Sequence, residues 1–306
     1  MAKKMLFVYN PMAGKEQIHN KLSDIIQIFC KADFEVTIFS TSGKGDACEI
    51  VAKKGNNYDY VVCSGGDGTM NEVASGLMQL ENRPVCGYIP AGTVNDFASS
   101  LKIPKIMKRA AQLVVDGSIF ECDMGKFNNR YFTYVAGFGA FTEVSYQTPQ
   151  EWKNALGKMA YFGEALKHIT DIKPHHMTIK WDDGMYEDDF VLGLVSNSVS
   201  VAGYKAYSKK NIKMDDGKFE AIFIRNPKNP IELQQVLNAL LSKELDADKI
   251  LYFCSRNISI ISDDEVSWTL DGEDGGICSK VEMENINKAL SIVCDADAYV
   301  AVSCKA

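Results

Sequence analysis

The first part of this chain contains four short apolar segments, each followed by a small polar loop and then by a helical pattern. In the helical segments, apolar residues recur at three- and four-residue spacing, as on one face of a helix. This β-α-β-α order over residues 1–121 predicts an α/β domain with a mainly parallel sheet. The strands are predicted at Met5–Tyr9, Glu35–Ser40, Tyr58–Ser64 and Val85–Ile89, with helices around Ile18–Phe29, Ala47–Val51 and Thr69–Leu80 and between Val94 and Val115.

From residue 122 onward the predicted strands are rich in aromatic and β-branched residues, which favours a β-rich, sandwich-like second domain over 122–306. Its last residues are expected to pack back on the first domain. Asp182, Asp183 and Gly184 have the composition of a β-hairpin turn. The strands are predicted at Arg130–Gly137, His176–Trp181, Glu187–Ser196, Phe219–Ile224, Ile258–Ile261 and Glu265–Leu270, and helices at about 150–172 and 230–243.

Composition excludes some classes of protein. With 46% apolar and 24% charged residues the chain is globular, and its net charge of −7 argues against a general nucleic-acid binder. Nine cysteines without a C-x-x-C pair indicate reduced thiols and a cytoplasmic location. No apolar run reaches the roughly 18 residues that cross a bilayer, so no transmembrane segment is predicted.

The loops after the four predicted strands are rich in glycine, asparagine and threonine. In an open parallel sheet, ligands bind beyond the carboxyl ends of the strands. The four loops are therefore expected to meet at one binding site. They are Asn10–Lys15, Thr41–Gly43, Gly65–Thr69 and Pro90–Asp96.

The loop Gly65–Thr69 carries the most specific chemistry. Its glycines allow the backbone to approach a phosphate, and the helix predicted from Thr69 offers an amide-rich, positive end to an anion. Asp67 alone would repel a phosphate, but with Mg²⁺ between them the pairing is favourable. The alternative is an ordinary strand-to-helix turn. The loop matches neither a Walker A sequence nor a dinucleotide fingerprint.

Three motifs together resemble the diacylglycerol kinase catalytic superfamily, which includes sphingosine and ceramide kinases and bacterial lipid kinases. They are Asn10-Pro11 with Gly14-Lys15, then Gly65–Thr69, then Pro90-x-Gly92-Thr93-x-Asn95-Asp96-Phe97. The likeness continues through Asp123, Gly137-x-Gly139, Gly157-Lys158-x-x-Tyr161, Asp216-Gly217 and Leu270-Asp271-Gly272-Glu273, so it spans nearly the whole chain. The resemblance implies ATP and Mg²⁺ as cofactors and an active site in a cleft between the two domains.

The resemblance also implies roles for individual residues. Asp67 would organise the catalytic Mg²⁺, and Glu273 would accept the proton of the lipid hydroxyl. Asp271 and Lys158 join them as catalytic residues, with Lys158 neutralising the transferring phosphate. A solvated turn carboxylate is the alternative for Glu273, and a surface salt bridge is the alternative for Lys158. The residues expected to bind ATP are Asn10, Gly14, Thr41, Gly65, Gly66, Asp67, Gly68, Thr69, Met70, Asn71 and Thr93.

A second, structural Mg²⁺ site is implied at Asp216. In related bacterial kinases a loop aspartate binds the ion together with two main-chain carbonyls, which here belong to Lys213 and Lys218. The lysine side chains take no part in such a site. A plain Asp-Gly turn without a metal is the alternative.

The sequence thus predicts an ATP-dependent lipid kinase that acts on diacylglycerol or a related glycerolipid. The enzyme is expected to meet its lipid peripherally, at the inner face of a membrane, and an exposed strand edge in the second domain is compatible with a homodimer. NAD kinases and phosphofructokinases also carry a Gly-Gly-Asp-Gly-Thr loop, so an NAD kinase-like enzyme is one alternative. An inactive homologue that only binds nucleotide or lipid is another.

Overall fold

A computed structural model describes residues 2–14, 18–139, 173–197, 213–242 and 248–295. The chain divides into two compact units. Unit 1 comprises Met1–Met124 and Asn287–Ala306, and unit 2 comprises Gly125–Ile286. Described residues from Asn287 onward belong to unit 1 and not to unit 2.

Unit 1 contains a sheet of parallel neighbours in the order β2-β1-β3-β4. The buried side chains of β1 run from Met5 to Val8 without a break, as expected for a strand that is covered on both faces. A later strand, β13 (Glu273–Cys294), adds beside β4 through Ile292 and Cys86. The bounds of the four strands are β1 Lys3–Tyr9, β2 Phe34–Ser40, β3 Tyr60–Gly65 and β4 Val85–Pro90.

The helices of unit 1 bury one face each. In the first helix Ile25 and Phe29, four residues apart, are completely buried, while the charged ends of the helix are exposed. This helix starts at Leu22, one turn after the predicted start at Ile18, although Ile18 itself is buried. The helices are α1 Leu22–Lys31, α2 Asp46–Lys54, α3 Asp67–Leu77, α4 Asp96–Ser100 and α5 Met107–Asp116.

Unit 2 is built from antiparallel strands in the order β11-β10-β9-β7-β12-β13. Strand β8 pairs with β9 and β12, and β6 pairs with β5. The strands are β5 Ser118–Phe127, β6 Arg130–Phe132, β7 Val135–Gly139, β8 His175–Trp181, β9 Gly184–Ser196, β10 Phe219–Arg225, β11 Ile250–Ser255, β12 Asn257–Leu270 and β13 Glu273–Cys294. A helix, α6, spans Pro230–Ser242.

The core of unit 2 is aromatic. Trp181 stacks on Phe253 with ring centroids 4.3 Å apart, and Phe138 meets Trp268 edge-on at 4.9 Å. The predicted hairpin turn is confirmed, because Trp181 pairs with Gly184 across the β8–β9 turn. Within the described part of the chain, no helix is both long enough and apolar enough to cross a lipid bilayer.

The strand predictions for the second half differ from the structure in several places. The predicted strand Arg130–Gly137 is two strands, because the amides of Thr133, Tyr134 and Val135 bond to the carboxylate of Asp271. The two strands predicted between Ile258 and Leu270 form one strand with an irregular register after Ile261. The long strand β13 was missed because its glycines and charged residues obscure the alternation of apolar side chains. The helix predicted at about 150–172 lies outside the described residues.

Candidate active site

The loops after β1 and β3 are bonded to each other in unit 1. The amide of Asn10, directly after β1, donates to the carbonyl of Ser64 at 2.9 Å. The side-chain amide of Asn10 donates to the hydroxyl of Thr69 at 3.3 Å, and its carbonyl oxygen accepts the amide of Met12 at 2.9 Å. Asn10 therefore joins the first loop to the start of α3.

The loop after β4 packs against the same place. The amide of Ala91 donates to the carbonyl of Gly65 at 2.8 Å. A Cβ atom on Gly92 would stand only 2.6 Å from the Cα atom of Gly66. Gly14 has φ +57°, and a Cβ atom there would overlap the carbonyl of Ala91. Gly14 and Gly92 are thus needed for the close contact between loops.

The carboxylate of Asp67 connects two of these loops. Its Oδ2 atom accepts the amide of Asp96 at 3.1 Å, and its Oδ1 atom accepts the amide of Phe97 at 3.4 Å. Asp67 therefore caps the first turn of α4 as well as opening α3. These two bonds set the direction of the carboxylate, which is a requirement for holding a cation at a defined place.

Two buried polar side chains that were not among the predicted binding residues support the loop after β4. Asn95, with φ +55°, accepts the amide of Gly92 at 3.0 Å and donates to its carbonyl at 2.6 Å. The hydroxyl of Tyr88 lies 3.4 Å from the carbonyl of Gly65 and 3.3 Å from Oδ1 of Asn95. Burial raises the pKa of Tyr88 well above its ordinary value, so the hydroxyl stays a donor. In the sequence, the signal for this role of Tyr88 was a tyrosine within an apolar strand next to the motif.

The predicted nucleotide-binding residues differ in how exposed their side chains are. Thr93 is exposed and Asn71 is half-buried, so their side chains are accessible. Thr41 is buried after β2, and its amide donates to the carbonyl of Tyr9 at 3.0 Å. Met70 was predicted to contact nucleotide, but its side chain is completely buried in unit 1 and acts as a core residue.

Helix α3 begins at Asp67, directly after the glycines at the end of β3. The amides of its first turn, Asp67–Thr69, have no intrahelical acceptor, and the helix dipole places partial positive charge there. Three loops of unit 1 meet around this helix end. The arrangement can hold a polyphosphate anion, and the carboxylate of Asp67 can hold a cation beside it.

In unit 2 the neighbouring acidic residues Asp271 and Glu273 have opposite environments. Asp271 is buried, and its carboxylate accepts bonds from the amides of Thr133, Tyr134 and Val135 and from the hydroxyl of Thr133, at 2.7–3.0 Å. Burial raises the pKa of Asp271, while those four bonds act in the opposite direction. Glu273 is exposed at the start of β13.

This environment corrects the prediction that Asp271 takes part in the chemistry. All four donors hold the carboxylate inside unit 2, and the backbone of Asp271 has φ +52° in the turn to β13. The carboxylate therefore fixes the turn that carries Glu273. Asp123, another residue of the likeness in sequence, also makes hydrogen bonds within the fold, accepting Asn287 Nδ2 at 2.9 Å and the amide of Lys288 at 2.7 Å.

The predicted second metal site has the form of an Asp-Gly turn. Oδ1 of Asp216 accepts the amide of Lys218 at 3.1 Å, and Gly217 has φ +74°. Burial raises the pKa of Asp216, and the amide of Lys218 opposes the rise. Across the described ranges, no three His, Cys, Asp or Glu side chains group as metal ligands. A metal at Asp216 would therefore need main-chain oxygens, such as those of Lys213 and Lys218.

Two predicted residues, Lys158 and Lys15, lie outside the described residues. Of the remaining catalytic candidates, Asp67 belongs to unit 1, and Asp271 and Glu273 belong to unit 2.

Comparison with known proteins gives one consistent family. Residues 4–127 match the model of the diacylglycerol kinase catalytic domain. Over 278 residues the chain is 34% identical to diacylglycerol kinases of Staphylococcus saprophyticus and Staphylococcus aureus; the match covers 90% of this chain, and 90% and 88% of those proteins. The crystal structure of a diacylglycerol kinase from Bacillus anthracis superposes with a TM-score of 0.81 at 27% identity, covering 97% of this chain and 98% of the other.

Proposed function

The chain belongs to the diacylglycerol kinase family and is an ATP-dependent lipid kinase; from that premise we propose that its acceptor is diacylglycerol or a related glycerolipid. One observation supports the use of ATP beyond the likeness in sequence. Three loops meet at the amino end of α3, joined by Asn10, Asp67 and the amide of Ala91. Such an end suits the phosphates of ATP, which require positioning and charge neutralisation more than covalent chemistry.

In this proposal the first-turn amides of α3 bind the phosphates, and Asp67 holds Mg²⁺ together with phosphate oxygens. The donor set supports this, because Mg²⁺ prefers carboxylate and phosphate oxygens and keeps several waters. Bound Mg²⁺ neutralises charge on the phosphates during transfer. Thr41, Thr93 and Asn71 complete the nucleotide site in unit 1.

Glu273 is the proposed base. It takes the proton of the lipid hydroxyl as that oxygen forms a bond to the γ-phosphorus. The bond from the γ-phosphorus to the bridging oxygen breaks, and ADP leaves. Asp271 acts through Glu273, since its buried carboxylate holds the turn in which Glu273 lies.

A second Mg²⁺ at Asp216 is part of the proposal as a structural ion. Its support is the donor set, since the exposed carboxylate of Asp216 and the main-chain oxygens of Lys213 and Lys218 are hard ligands of the kind that Mg²⁺ takes. The lipid would be met at the membrane surface, with the enzyme bound peripherally at the cytoplasmic face. The homodimer stays a prediction.

The acceptor is tested by offering radiolabelled ATP and Mg²⁺ with mixed micelles of diacylglycerol, phosphatidylglycerol or sphingosine, and separately with NAD. We expect label in the lipid extract, as phosphatidic acid, with diacylglycerol as the preferred acceptor. Label on NAD alone would contradict the proposal and favour the NAD kinase alternative. Binding of ATP without transfer to any acceptor would favour the inactive homologue.

A further inference from the structure

Helix α2 is capped by a side chain from another helix. It begins at Asp46 after Gly45, which has φ +91° and no side chain with which to cap the helix. The amide of Gly45 donates to Oε1 of Glu72 at 2.8 Å, and the amide of Ala47 lies 3.3 Å from Oε2. Glu72 belongs to α3, 27 residues after Gly45. Its negative charge thus lies at the positive end of the α2 dipole.

The face of α3 that carries Glu72 also holds α2 further along. A Cβ atom on Gly76 would stand 2.7 Å from the carbonyl of Cys48, so a glycine is required for the close approach of the helices. One turn later, Nε2 of Gln79 lies 3.3 Å from the sulfur of Cys48. Glu72 and Gly76 are four residues apart, which places them on one side of α3, and Gln79 lies in the turn directly after the helix.

The loop in front of α2 is held at both ends. Its first residue, Thr41, donates its amide to the carbonyl of Tyr9 at 3.0 Å, which ties it to β1. Oδ2 of Asp46 accepts the amides of Ser42 at 2.7 Å and Gly43 at 2.9 Å, which folds the loop upon itself. The far end, at Gly45, is bonded to Glu72. Glu72 therefore links the loop that begins with Thr41 to the helix whose amino end meets the phosphates.

We propose that Glu72 is a positioning residue for the nucleotide, which fixes the loop 41–45 against α3 so that both bind one ATP molecule. This rests on the proposed function, in which Thr41 and the amino end of α3 contact ATP. Glu72 also fills the anion position at the amino end of α2 with its own carboxylate. The phosphates are thereby directed to the amino end of α3 and away from that of α2.

The test is to measure KM for ATP, kcat and direct ATP binding by calorimetry in Glu72→Ala and Glu72→Gln. We expect Glu72→Ala to raise KM and Kd for ATP about tenfold with kcat within about twofold, because positioning is lost but the reacting groups remain. Glu72→Gln keeps one acceptor oxygen and should show a smaller rise. Hydrogen exchange at Gly45 and Ala47 should quicken in Glu72→Ala.

Glu49→Ala is the matched control, because Glu49 is an exposed carboxylate in the first turn of α2 that pairs with Lys53. Its KM for ATP should equal that of the parent chain. Unchanged ATP affinity in Glu72→Ala, or a fall in kcat at constant KM, would overturn the positioning role. If Glu72→Ala does not fold, the same comparison is made with Glu72→Gln.

Direct binding separates this inference from the proposed function. A parent chain that binds ATP but phosphorylates no lipid removes the kinase proposal, while the Kd of the Glu72 variants still decides the positioning role. A parent chain that does not bind ATP overturns both.

Discussion

At the scale of single residues, Asp271 and Glu273 show why one acidic motif can hold two different kinds of carboxylate. They are separated by one glycine, yet Asp271 is 4% exposed and bonded to residues 138 positions earlier in the chain, whereas Glu273 is exposed. Both residues were predicted to be catalytic, because a short motif does not show that Asp271 is buried against residues far away in the chain. The hydrogen bonds of Asp271 identify it as the residue that holds the turn, which leaves Glu273 as the residue proposed to take a proton.

The contrast between Asp271 and Glu273 leads to a prediction about stability and turnover. In Asp271→Asn one amide nitrogen must face backbone N–H donors, because both oxygens of the carboxylate accept from Thr133, Tyr134 and Val135. We expect the free energy of unfolding to fall by roughly 1–3 kcal/mol, with kcat reduced as well. Glu273→Gln should lower kcat by about 10²–10⁴ and leave stability within about 0.5 kcal/mol. Urea unfolding and lipid phosphorylation measure the two effects.

The two variants are informative together, because Asp271→Asn is expected to lower stability while Glu273→Gln is expected to lower kcat alone. Equal stability of Asp271→Asn and the parent chain would contradict the structural role of Asp271. Undiminished kcat in Glu273→Gln would remove Glu273 as the base.

At the scale of elements, the strands and helices of unit 1 could be predicted because each depends on a local pattern. The apolar run of β1 and the spacing of Ile25 and Phe29 are visible within one segment. Strands β5, β11 and β13 were not predicted; in β13, glycines and charged residues interrupt the alternation of apolar side chains. At the candidate site, the ends of the predicted strands located the loops. The hydrogen bonds of Tyr88 with Gly65 and of Glu72 with Gly45 were not predicted, because these partners lie 23 and 27 positions away in the chain.

A second prediction concerns two turns of unit 2 that share one carboxylate. Asp182, in the β8–β9 turn, accepts the hydroxyl of Ser255 at 2.8 Å and the amides of Arg256 and Asn257 in the β11–β12 turn. Burial of Asp182 opposes ionisation, but bonds from Asn257, Ser255 and the two amides outweigh it and lower the pKa from 3.8 to about 2. Because the pKa is depressed in the folded state, the ionised carboxylate stabilises the fold at neutral pH, and this stabilisation is lost as pH falls from about 4 towards 2.

We therefore expect Asp182→Asn to lower the free energy of unfolding by about 1 kcal/mol at pH 7 and to lose this part of the acid dependence. Urea unfolding between neutral pH and pH 3 measures both effects. The adjacent exposed carboxylate provides the control, and Asp183→Asn should retain the stability and acid profile of the parent chain. Identical acid profiles for Asp182→Asn and the parent chain would contradict the role of Asp182.

At the scale of the whole molecule, a late segment completes unit 1. Asn287 binds Asp123, the carbonyl of Ala289 accepts Arg83 Nη1 at 3.1 Å, and Ile292 pairs with Cys86 of β4. Strands β5 and β13 each contribute residues to both units. Unit 1 is therefore discontinuous in sequence, and its stability depends on side chains that follow the whole of unit 2.

Two isoleucines of β13 test this dependence. Ile292 is completely buried in unit 1, so Ile292→Ala should lower the free energy of unfolding by about 2–5 kcal/mol through lost burial and a cavity. Ile277, in the same strand, is 64% exposed, and Ile277→Ala should change stability by less than about 0.5 kcal/mol. Urea unfolding measures both variants. Equal stability of the two would contradict a structural role for the segment after Asn287.

The late segment also sets an order of events on the ribosome. The part of β13 that belongs to unit 1 is translated only after the whole of Gly125–Ile286. At about 5–20 residues per second, translation of that intervening stretch lasts on the order of ten to thirty seconds. During that interval the edge of β4 at Cys86 has no partner strand from β13, and unit 2 can finish folding before unit 1. Newly made chains thus cannot complete the sheet of unit 1 beside β4 until the segment that carries Ile292 has emerged.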